Sequence, residues 1–234
     1  MSNAKFTTVL LDADDTVYDF HRAEKLALNK TLATLNIKWT EQLNDVYLDE
    51  NLKIWKEYEK NEITKEELKI KRFERFFDRT GLKVEMPMEK VNEIYIYNLS
   101  QCGFLFDGAY EFVQKLTNHA DVYLATNGLK IAQRGRVKHS GLDKLVNGVF
   151  ISEEMGCNKP SKEYFNYIFN QLHITDKSKV IIVGDSLTSD MQGGKNAGIT
   201  TCLYDPHNKV TSHSLCDYIV RGYDEILRLV VGKQ

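Results

Sequence analysis

Near its amino end the chain carries a short uninterrupted apolar run, Val9-Leu10-Leu11, which the acidic stretch Asp12-Ala13-Asp14-Asp15 follows directly. An unbroken run of this length is typical of a strand that is buried on both faces of a parallel sheet. After Thr16, apolar residues recur at intervals of three and four positions as far as about Gln101. That period is helical, so the pattern predicts one strand and then a block of helices.

Four helices are predicted in this block, over about 20–35, 40–59, 64–81 and 88–99. The third has the strongest signals, because Thr64 and Glu67 have the spacing of a capping box and Gly81 supplies a stop. The second carries apolar residues on one predicted face, namely Leu48, Leu52 and Trp55. A parallel crossover needs only about a dozen residues. The block is far longer, so it is predicted to be an inserted helical subdomain over 17–101.

From Phe106 the pattern alternates between short apolar runs and helical periodicity, which is the signature of an α/β sheet. The predicted strands lie at about 122–125, 148–152, 179–183, 200–204 and 218–220. Helices are predicted between most of them, and a final helix begins near Tyr223. The predicted fold class is therefore α/β, with a Rossmann-like, doubly wound parallel sheet formed by residues 5–16 and 102–234.

The composition is that of a folded protein, with 42% hydrophobic and 27% charged residues among 234. This length exceeds the usual domain of about 100–150 residues. Lys and Arg number 31 against 33 Asp and Glu, so there is no basic surplus for binding nucleic acid. The four cysteines have no zinc spacing, and no apolar run reaches membrane length. We expect a cytoplasmic protein, a monomer or weak homodimer, without nucleic-acid or membrane partners.

Three carboxylates are crowded into residues 12–15, directly after the first predicted strand. Like charges at this spacing raise one another's pKa unless a cation neutralises them, and hard oxygen ligands suit Mg²⁺. An acidic turn exposed to solvent explains the same residues equally well. The choice between these interpretations depends on what the other predicted strands bring to the same edge of the sheet.

Other predicted strands also end in polar groups. They are Thr126-Asn127 after the second strand, Lys159 in the loop after the third, and Asp185, with Asp190, after the fourth. Ligands of open α/β sheets bind outside the carboxyl ends of the strands, so these groups and Asp12 are expected at one edge. Taken singly, each fits an ordinary turn or loop residue. Together they supply carboxylates, a hydroxyl and an ammonium, which metal-assisted attack on a phosphate monoester requires.

The ordered motifs Asp-x-Asp-x-Thr, strand-Thr, Lys-Pro and Gly-Asp-Ser-x-x-x-Asp resemble those of the haloacid dehalogenase-like superfamily, specifically its aspartate-nucleophile phosphatases. The helical block after the first motif resembles the helical cap of that superfamily's first subclass. The stretches 11–20 and 151–156 resemble those of the cytosolic 5′-nucleotidases that prefer pyrimidine nucleoside monophosphates. The resemblance covers nearly the whole chain from about Thr7.

The resemblance implies a role for each matching residue. Asp12 is the nucleophile, and Asp14 is first the general acid and then the general base. Thr126 and the backbone amide of Asn127 bind phosphoryl oxygens. The positive charge of Lys159 lies next to both the phosphoryl group and the nucleophile. These assignments imply hydrolysis through an aspartyl-phosphate intermediate.

The same resemblance implies a Mg²⁺ cofactor, held by Asp12, the backbone carbonyl of Asp14, Asp185 and water. Asp190 and Ser186 are expected to contact the groups that bind the metal and the phosphate, rather than the metal itself. Asp190 is expected to orient either the motif lysine or a metal-bound water.

The implied substrate is a small phosphomonoester, most specifically a pyrimidine nucleoside monophosphate. Asp14 favours phosphate esters over carbon–halogen substrates, because dehalogenases of this superfamily lack an aspartate there and halide needs no proton. Three alternatives stay open: a phosphatase of phosphoglycolate or a sugar phosphate, a sugar phosphomutase, and an inactive binding module. The aromatic residues expected to be able to stack on a base are Phe20, Trp55 and Tyr58.

Overall fold

The computed structural model describes residues 4–60 and 62–232. They fold as two compact units, of which one runs up to Phe20 and resumes at Gly103, while the other runs from His21 to Cys102. The second unit is thus inserted into the sequence of the first. Its assignment as a cap domain over 17–101 stays a prediction.

Within the described residues, the first unit contains one six-stranded sheet. Its strands are β1 (Thr8–Leu11), β2 (Asp121–Thr126), β3 (Gly148–Ile151), β4 (Val180–Gly184), β5 (Thr200–Tyr204) and β6 (Tyr218–Val220). All neighbours are parallel, and their order is β3-β2-β1-β4-β5-β6. This order confirms the predicted α/β fold with a doubly wound parallel sheet.

The described part of the chain also contains helices before, between and after these strands. They are α1 (Phe20–Thr34), α2 (Glu41–Glu59), α3 (Lys65–Thr80), α4 (Met88–Ser100), α5 (Ala109–Thr117), α6 (Lys130–Ser140), α7 (Ser152–Met155), α8 (Lys162–Gln171), α9 (Gln192–Ala197) and α10 (Tyr223–Val231). None of the helices in this part of the chain has both the length and the apolarity that crossing a membrane requires.

Successive residues of the central strand β1 face opposite layers of helices. Val9 and Leu11 belong to the core that includes α5 and α10, whereas Leu10 belongs to the core that includes α8. All three side chains are fully buried. Because helices cover both faces of the sheet, these three positions must be apolar, which explains the unbroken run in the sequence.

In the helical unit, α3 begins with the predicted capping box. Thr64 Oγ1 accepts a hydrogen bond from the backbone N–H of Glu67 (3.2 Å), and the Glu67 carboxylate accepts one from the backbone N–H of Thr64 (2.8 Å). Gly81 ends the helix with a left-handed backbone, φ 69°. Local chemistry therefore determines both ends of this helix.

The apolar face predicted for α2 is not its most buried face, because Leu48 and Trp55 are only half-buried. Leu52 is 56% exposed. The buried positions are instead Asn44, Tyr47, Glu50, Asn51 and Ile54. One polar residue of this face has a buried partner, because Asn51 Nδ2 donates to the buried carboxylate of Glu24 (2.6 Å). Hydrophobic spacing alone therefore does not identify the most buried face of this helix.

The path of the chain across the sheet reverses at β1. It passes from β1 through β2 to β3 on one side, and from β4 through β5 to β6 on the other. The crevice outside the carboxyl ends of β1 and β4 is the position at which open α/β sheets bind ligands.

Candidate active site

The reversal point brings predicted site residues to the ends of neighbouring strands. Asp12 follows β1, Thr126 ends β2 and Asp185 follows β4. The backbone N–H of Asp12 donates to the carbonyl of Val183 (2.8 Å), so the pairing of β1 with β4 continues up to this residue. The strand order therefore fixes Asp12 between the carboxyl ends of β2 and β4.

Lys159 lies at the centre of the site. Its Nζ donates to Asp12 Oδ1 (2.5 Å), to Asp190 Oδ1 (2.6 Å) and to the carbonyl of Ala125 (2.7 Å). These acceptors match the three N–H bonds of the ammonium, and the residue is only 1% exposed. Burial alone would lower the pKa of Lys159, but the carboxylates of Asp12 and Asp190 outweigh it and raise that pKa. Lys159 is therefore a fixed cation in contact with two carboxylates.

The backbone of Lys159 is held by Asn127. Asn127 Oδ1 accepts from the backbone N–H of Lys159 (2.8 Å), and Asn127 Nδ2 donates to its carbonyl (2.9 Å). The neighbouring Thr126 is buried, and its hydroxyl accepts from the backbone N–H of Gly128 (3.1 Å). That hydroxyl keeps its own O–H as a donor. The predicted contacts of Thr126 and Asn127 with a phosphoryl group stay predictions.

Asp12, Asp185 and Asp190 form an acidic cluster, in which one carboxylate oxygen of each lies within 4.8 Å of the others. Both oxygens of Asp190 are engaged, because Oδ1 accepts from the central lysine and Oδ2 from the backbone N–H of Ser186 (3.2 Å). Asp12 Oδ2, in contrast, receives from the described residues only a long hydrogen bond, donated by Thr16 Oγ1 (3.5 Å). Asp12 and Asp185 are therefore the better ligands for a cation.

The electrostatics of this cluster are those of a site with surplus negative charge. Burial, followed by the charge of Asp190, raises the pKa of Asp12 well above its usual range, against the opposing effect of Lys159. Desolvation by the neighbouring protein atoms, followed by the charges of Asp190 and Asp15, raises the pKa of Asp185 to about 7, although Asp185 is exposed to solvent. A set of oxygen donors with surplus negative charge fits Mg²⁺ or another hard divalent cation.

Asp190 lies in a π-helical turn over Leu187–Met191, which leads directly into α9. Ser186 precedes this turn, and its Oγ accepts from the backbone N–H of Ser189 (3.2 Å). The backbone of Ser186 also hydrogen-bonds with Asp190, through its carbonyl (3.1 Å) and through its N–H. The part that Ser186 plays in catalysis stays a prediction.

Gly184 lies where β4 meets two of the site carboxylates. A Cβ at this position would lie 2.3 Å from Asp190 Oδ2 and 3.0 Å from the Cβ of Asp12. Since real Cβ atoms do not approach other atoms that closely, only glycine fits at the end of this strand without displacing the carboxylates.

Asp14 makes a separate set of contacts with α6. Its Oδ2 accepts from Gln133 Nε2 (2.7 Å), and its Oδ1 accepts from Arg136 Nη1. Both partners are buried. Neither was predicted from the sequence: their spacing of three places them on one helix face, but nothing in it indicates that Asp14 is their partner.

The fold and these contacts define a class of protein, an α/β enzyme whose carboxylates and buried lysine meet at the carboxyl edge of a parallel sheet. Residues 6–198 match the family model described as haloacid dehalogenase-like hydrolase. The chain therefore belongs to the haloacid dehalogenase-like hydrolase family, which confirms the resemblance carried by its motifs.

Three relatives are similar over most of their length. The chain is 36% identical over 222 residues to the pyrimidine 5′-nucleotidase PynA of Streptococcus pneumoniae, covering 94% of this chain and 92% of that protein. It is 31% identical over 205 residues to the pyrimidine 5′-nucleotidase YjjG of Escherichia coli, covering 88% of each. A crystal structure of the HAD-hydrolase YfnB from Bacillus subtilis, bound to magnesium, matches with a TM-score of 0.89 and 32% identity, covering 97% of this chain and 99% of that one.

Proposed function

We propose that this protein is a Mg²⁺-dependent phosphomonoester hydrolase, most specifically a 5′-nucleotidase that acts on pyrimidine nucleoside monophosphates. The observation that carries the proposal is the contact of the Asp12 carboxylate with the buried Lys159 ammonium, beside Asp185. A carboxylate can approach an anionic phosphate only where positive charge offsets the repulsion. The names of PynA and YjjG support a pyrimidine nucleotide as the substrate.

Hydrolysis takes place in two displacements. One oxygen of Asp12 forms a bond to phosphorus while the bond from phosphorus to the ester oxygen breaks, and the leaving oxygen takes a proton from Asp14 to become an alcohol. A water molecule then attacks the same phosphorus, Asp14 takes a proton from that water, and the bond between phosphorus and Asp12 breaks. The products are the alcohol and inorganic phosphate, and both aspartates return to their starting states.

Lys159, Thr126 and the backbone N–H of Asn127 bind the phosphoryl oxygens in this proposal. The lysine ammonium is already fixed by two carboxylates, so its charge is in place before the substrate arrives. A group that is oriented in advance stabilises developing charge without paying for reorganisation during the reaction.

Asp12, Asp185 and the backbone carbonyl of Asp14 would hold the magnesium ion. The oxygen donors and surplus negative charge of the acidic cluster fit such an ion. When bound, Mg²⁺ offsets the negative charge that a carboxylate and a phosphate bring together. The magnesium in the structure of the relative YfnB supports this choice of metal.

The proposal is tested by measuring phosphate release from a panel of nucleoside monophosphates and sugar phosphates. Each ester is assayed with Mg²⁺ and with EDTA. We expect a pyrimidine nucleoside monophosphate to have the highest kcat/KM, and EDTA to abolish turnover. A parallel reaction with an added sugar bisphosphate distinguishes a hydrolase from a phosphomutase, because a phosphomutase needs priming by the bisphosphate and releases little phosphate.

Phosphoglycolate or a sugar phosphate as the best substrate, with nucleotides inert, would overturn the substrate assignment. No release from any ester would overturn the hydrolase and favour an inactive binding module.

A further inference from the structure

The side chains of α6 that contact Asp14 lie outside the four sequence motifs described above. Arg136 is 0% exposed and Gln133 is 2% exposed, so both are buried polar side chains. Burying a guanidinium is costly unless it is paired, and both of these side chains direct an N–H to the carboxylate of Asp14. Two buried side chains of one helix thus converge on the residue assigned to proton transfer.

Arg136 is fixed by aromatic packing. The central carbon of its guanidinium lies 4.5 Å from the ring centroid of Tyr18 and 5.4 Å from that of Phe20. Tyr18 is itself held, because its hydroxyl lies 2.9 Å from Ser140 Oγ on the same helix as the arginine. A guanidinium packed against two rings keeps one orientation, so Oδ1 of Asp14 is held in one place.

Gln133 is fixed by the loop that follows β2. A Cβ at Gly128 would lie 2.3 Å from Gln133 Nε2 and 2.6 Å from its Cγ, so only glycine lets this side chain lie across the loop. Nε2 then donates to Asp14 Oδ2 at 2.7 Å. Gln133 Oε1 is buried and has no hydrogen-bond partner among the residues described. The amide is therefore placed for its contact with Asp14.

We propose that Gln133 and Arg136 are positioning residues, which orient the carboxylate of Asp14 for proton transfer to the leaving oxygen of the substrate. This inference rests on the proposed function, which gives Asp14 a proton to transfer. Arg136 holds Oδ1 throughout the reaction. Gln133 donates a hydrogen bond to Oδ2. This bond is released when Oδ2 turns toward the leaving oxygen of the ester. Misplacing a catalytic group by about 1 Å costs on the order of a hundredfold in rate.

The test compares two esters whose leaving groups differ in their need for a proton. p-Nitrophenolate leaves without protonation, whereas the alkoxide of uridine monophosphate requires it. First-turnover rates with Mg²⁺ are measured by rapid mixing for the wild type and for Gln133→Ala. We expect a loss of about ten- to a hundredfold with uridine monophosphate, and of less than about threefold in the release of p-nitrophenolate. Arg134→Ala, which removes a half-exposed arginine of the same helix, is the matched control and should leave both rates unchanged.

Two further comparisons separate positioning from a structural role. In an Asp14→Asn background, Gln133→Ala or Arg136→Lys should cause less than about a twofold further loss, because their effect passes through Asp14. Gln133→Met has a similar size without the amide, so it preserves packing and should reproduce the selective loss of Gln133→Ala.

Equal losses with both esters in folded variants would overturn the inference, as would losses that add to that of Asp14→Asn. Either outcome would leave the proposed hydrolase intact. A wild type that releases no phosphate from either ester would overturn the proposed function, and this inference with it.

Discussion

The side-chain amide of Asn127 and the backbone of Lys159 are joined by two hydrogen bonds, one donated (2.9 Å) and one accepted (2.8 Å) by the amide. The pair fixes the stretch of backbone from which the ammonium reaches Asp12. The motif resemblance implies a role for the backbone amide of Asn127 in binding phosphate. The structure adds a distinct task for its side chain, which is to position the lysine.

Replacing Asn127 should therefore affect both stability and rate. Asn127→Ala removes two hydrogen bonds worth about 1 kcal/mol each, so we expect the free energy of unfolding to fall by about 2 kcal/mol. We expect kcat for phosphate release from the best substrate to fall about tenfold or more, because the lysine is no longer held. Urea unfolding and phosphate release measure the two effects. Asn118→Ala, at an exposed position, is the control, and an unchanged kcat for Asn127→Ala would contradict this role.

Lys159 should matter more for stability than an ordinary lysine. Lys159→Met leaves two buried carboxylates without their shared cation, and breaking such a pair costs about 3–5 kcal/mol. We expect this loss in the free energy of unfolding of the metal-free protein, measured with urea, together with a loss of turnover of about a hundredfold or more. Lys162→Met, at an exposed position of α8, is the matched control. Equal stability of the two variants would contradict the buried ion pair.

Asp185 should make the stability of the metal-free protein depend on pH. Its pKa is about 7 in the folded protein, above its ordinary value of 3.8. Between these values the folded state binds more protons than the unfolded state, so the contribution of Asp185 to the free energy of unfolding falls as pH rises. Asp185→Asn cannot ionise, so its stability relative to the wild type should rise between about pH 4 and about pH 8.

Urea unfolding in EDTA at both pH values measures that difference. Asp143→Asn, which removes an exposed carboxylate, should show no comparable change. Mg²⁺ should reverse the advantage of Asp185→Asn at the higher pH, because an ion held as proposed would bind the folded wild type and stabilise it. A relative stability of Asp185→Asn that falls with rising pH would contradict the surplus charge at this site.

Gly184 should tolerate no side chain. In Gly184→Ala the new Cβ would meet Asp190 Oδ2 at 2.3 Å, so the carboxylates must shift. We expect kcat to fall by about a hundredfold and the affinity for Mg²⁺ to fall with it, measured by phosphate release over a range of Mg²⁺ concentrations. Gly222→Ala is the matched control, because a Cβ there has open space and its backbone is extended. Wild-type kinetics in Gly184→Ala would show that the close approach is unimportant.

The parts of the structure that follow from local rules could be predicted from the sequence. Val9-Leu10-Leu11 forms a strand because both of its faces are covered, and Thr64 begins a helix because its hydroxyl and Glu67 satisfy the first N–H groups. The meeting of Asp12 with Lys159 follows from a general property of parallel sheets, whose carboxyl ends share one edge.

The parts that depend on long-range side-chain pairing could not be predicted. Gln133 and Arg136 look like ordinary polar residues of a surface helix, and only the folded chain brings Asp14 to them. The buried face of α2 was missed for a related reason, because Asn51 is buried through its hydrogen bond to Glu24. Hydrophobic periodicity carries no information about such partners.

Uptake of phosphorus by Asp12 is tested most directly by mass spectrometry of protein that is quenched with acid during turnover of p-nitrophenyl phosphate with Mg²⁺. We expect one phosphoryl group on the peptide that contains Asp12, and neither that group nor turnover in Asp12→Asn. Turnover by Asp12→Asn at the wild-type rate, or a phosphoryl group found only on another peptide, would contradict Asp12 as the nucleophile.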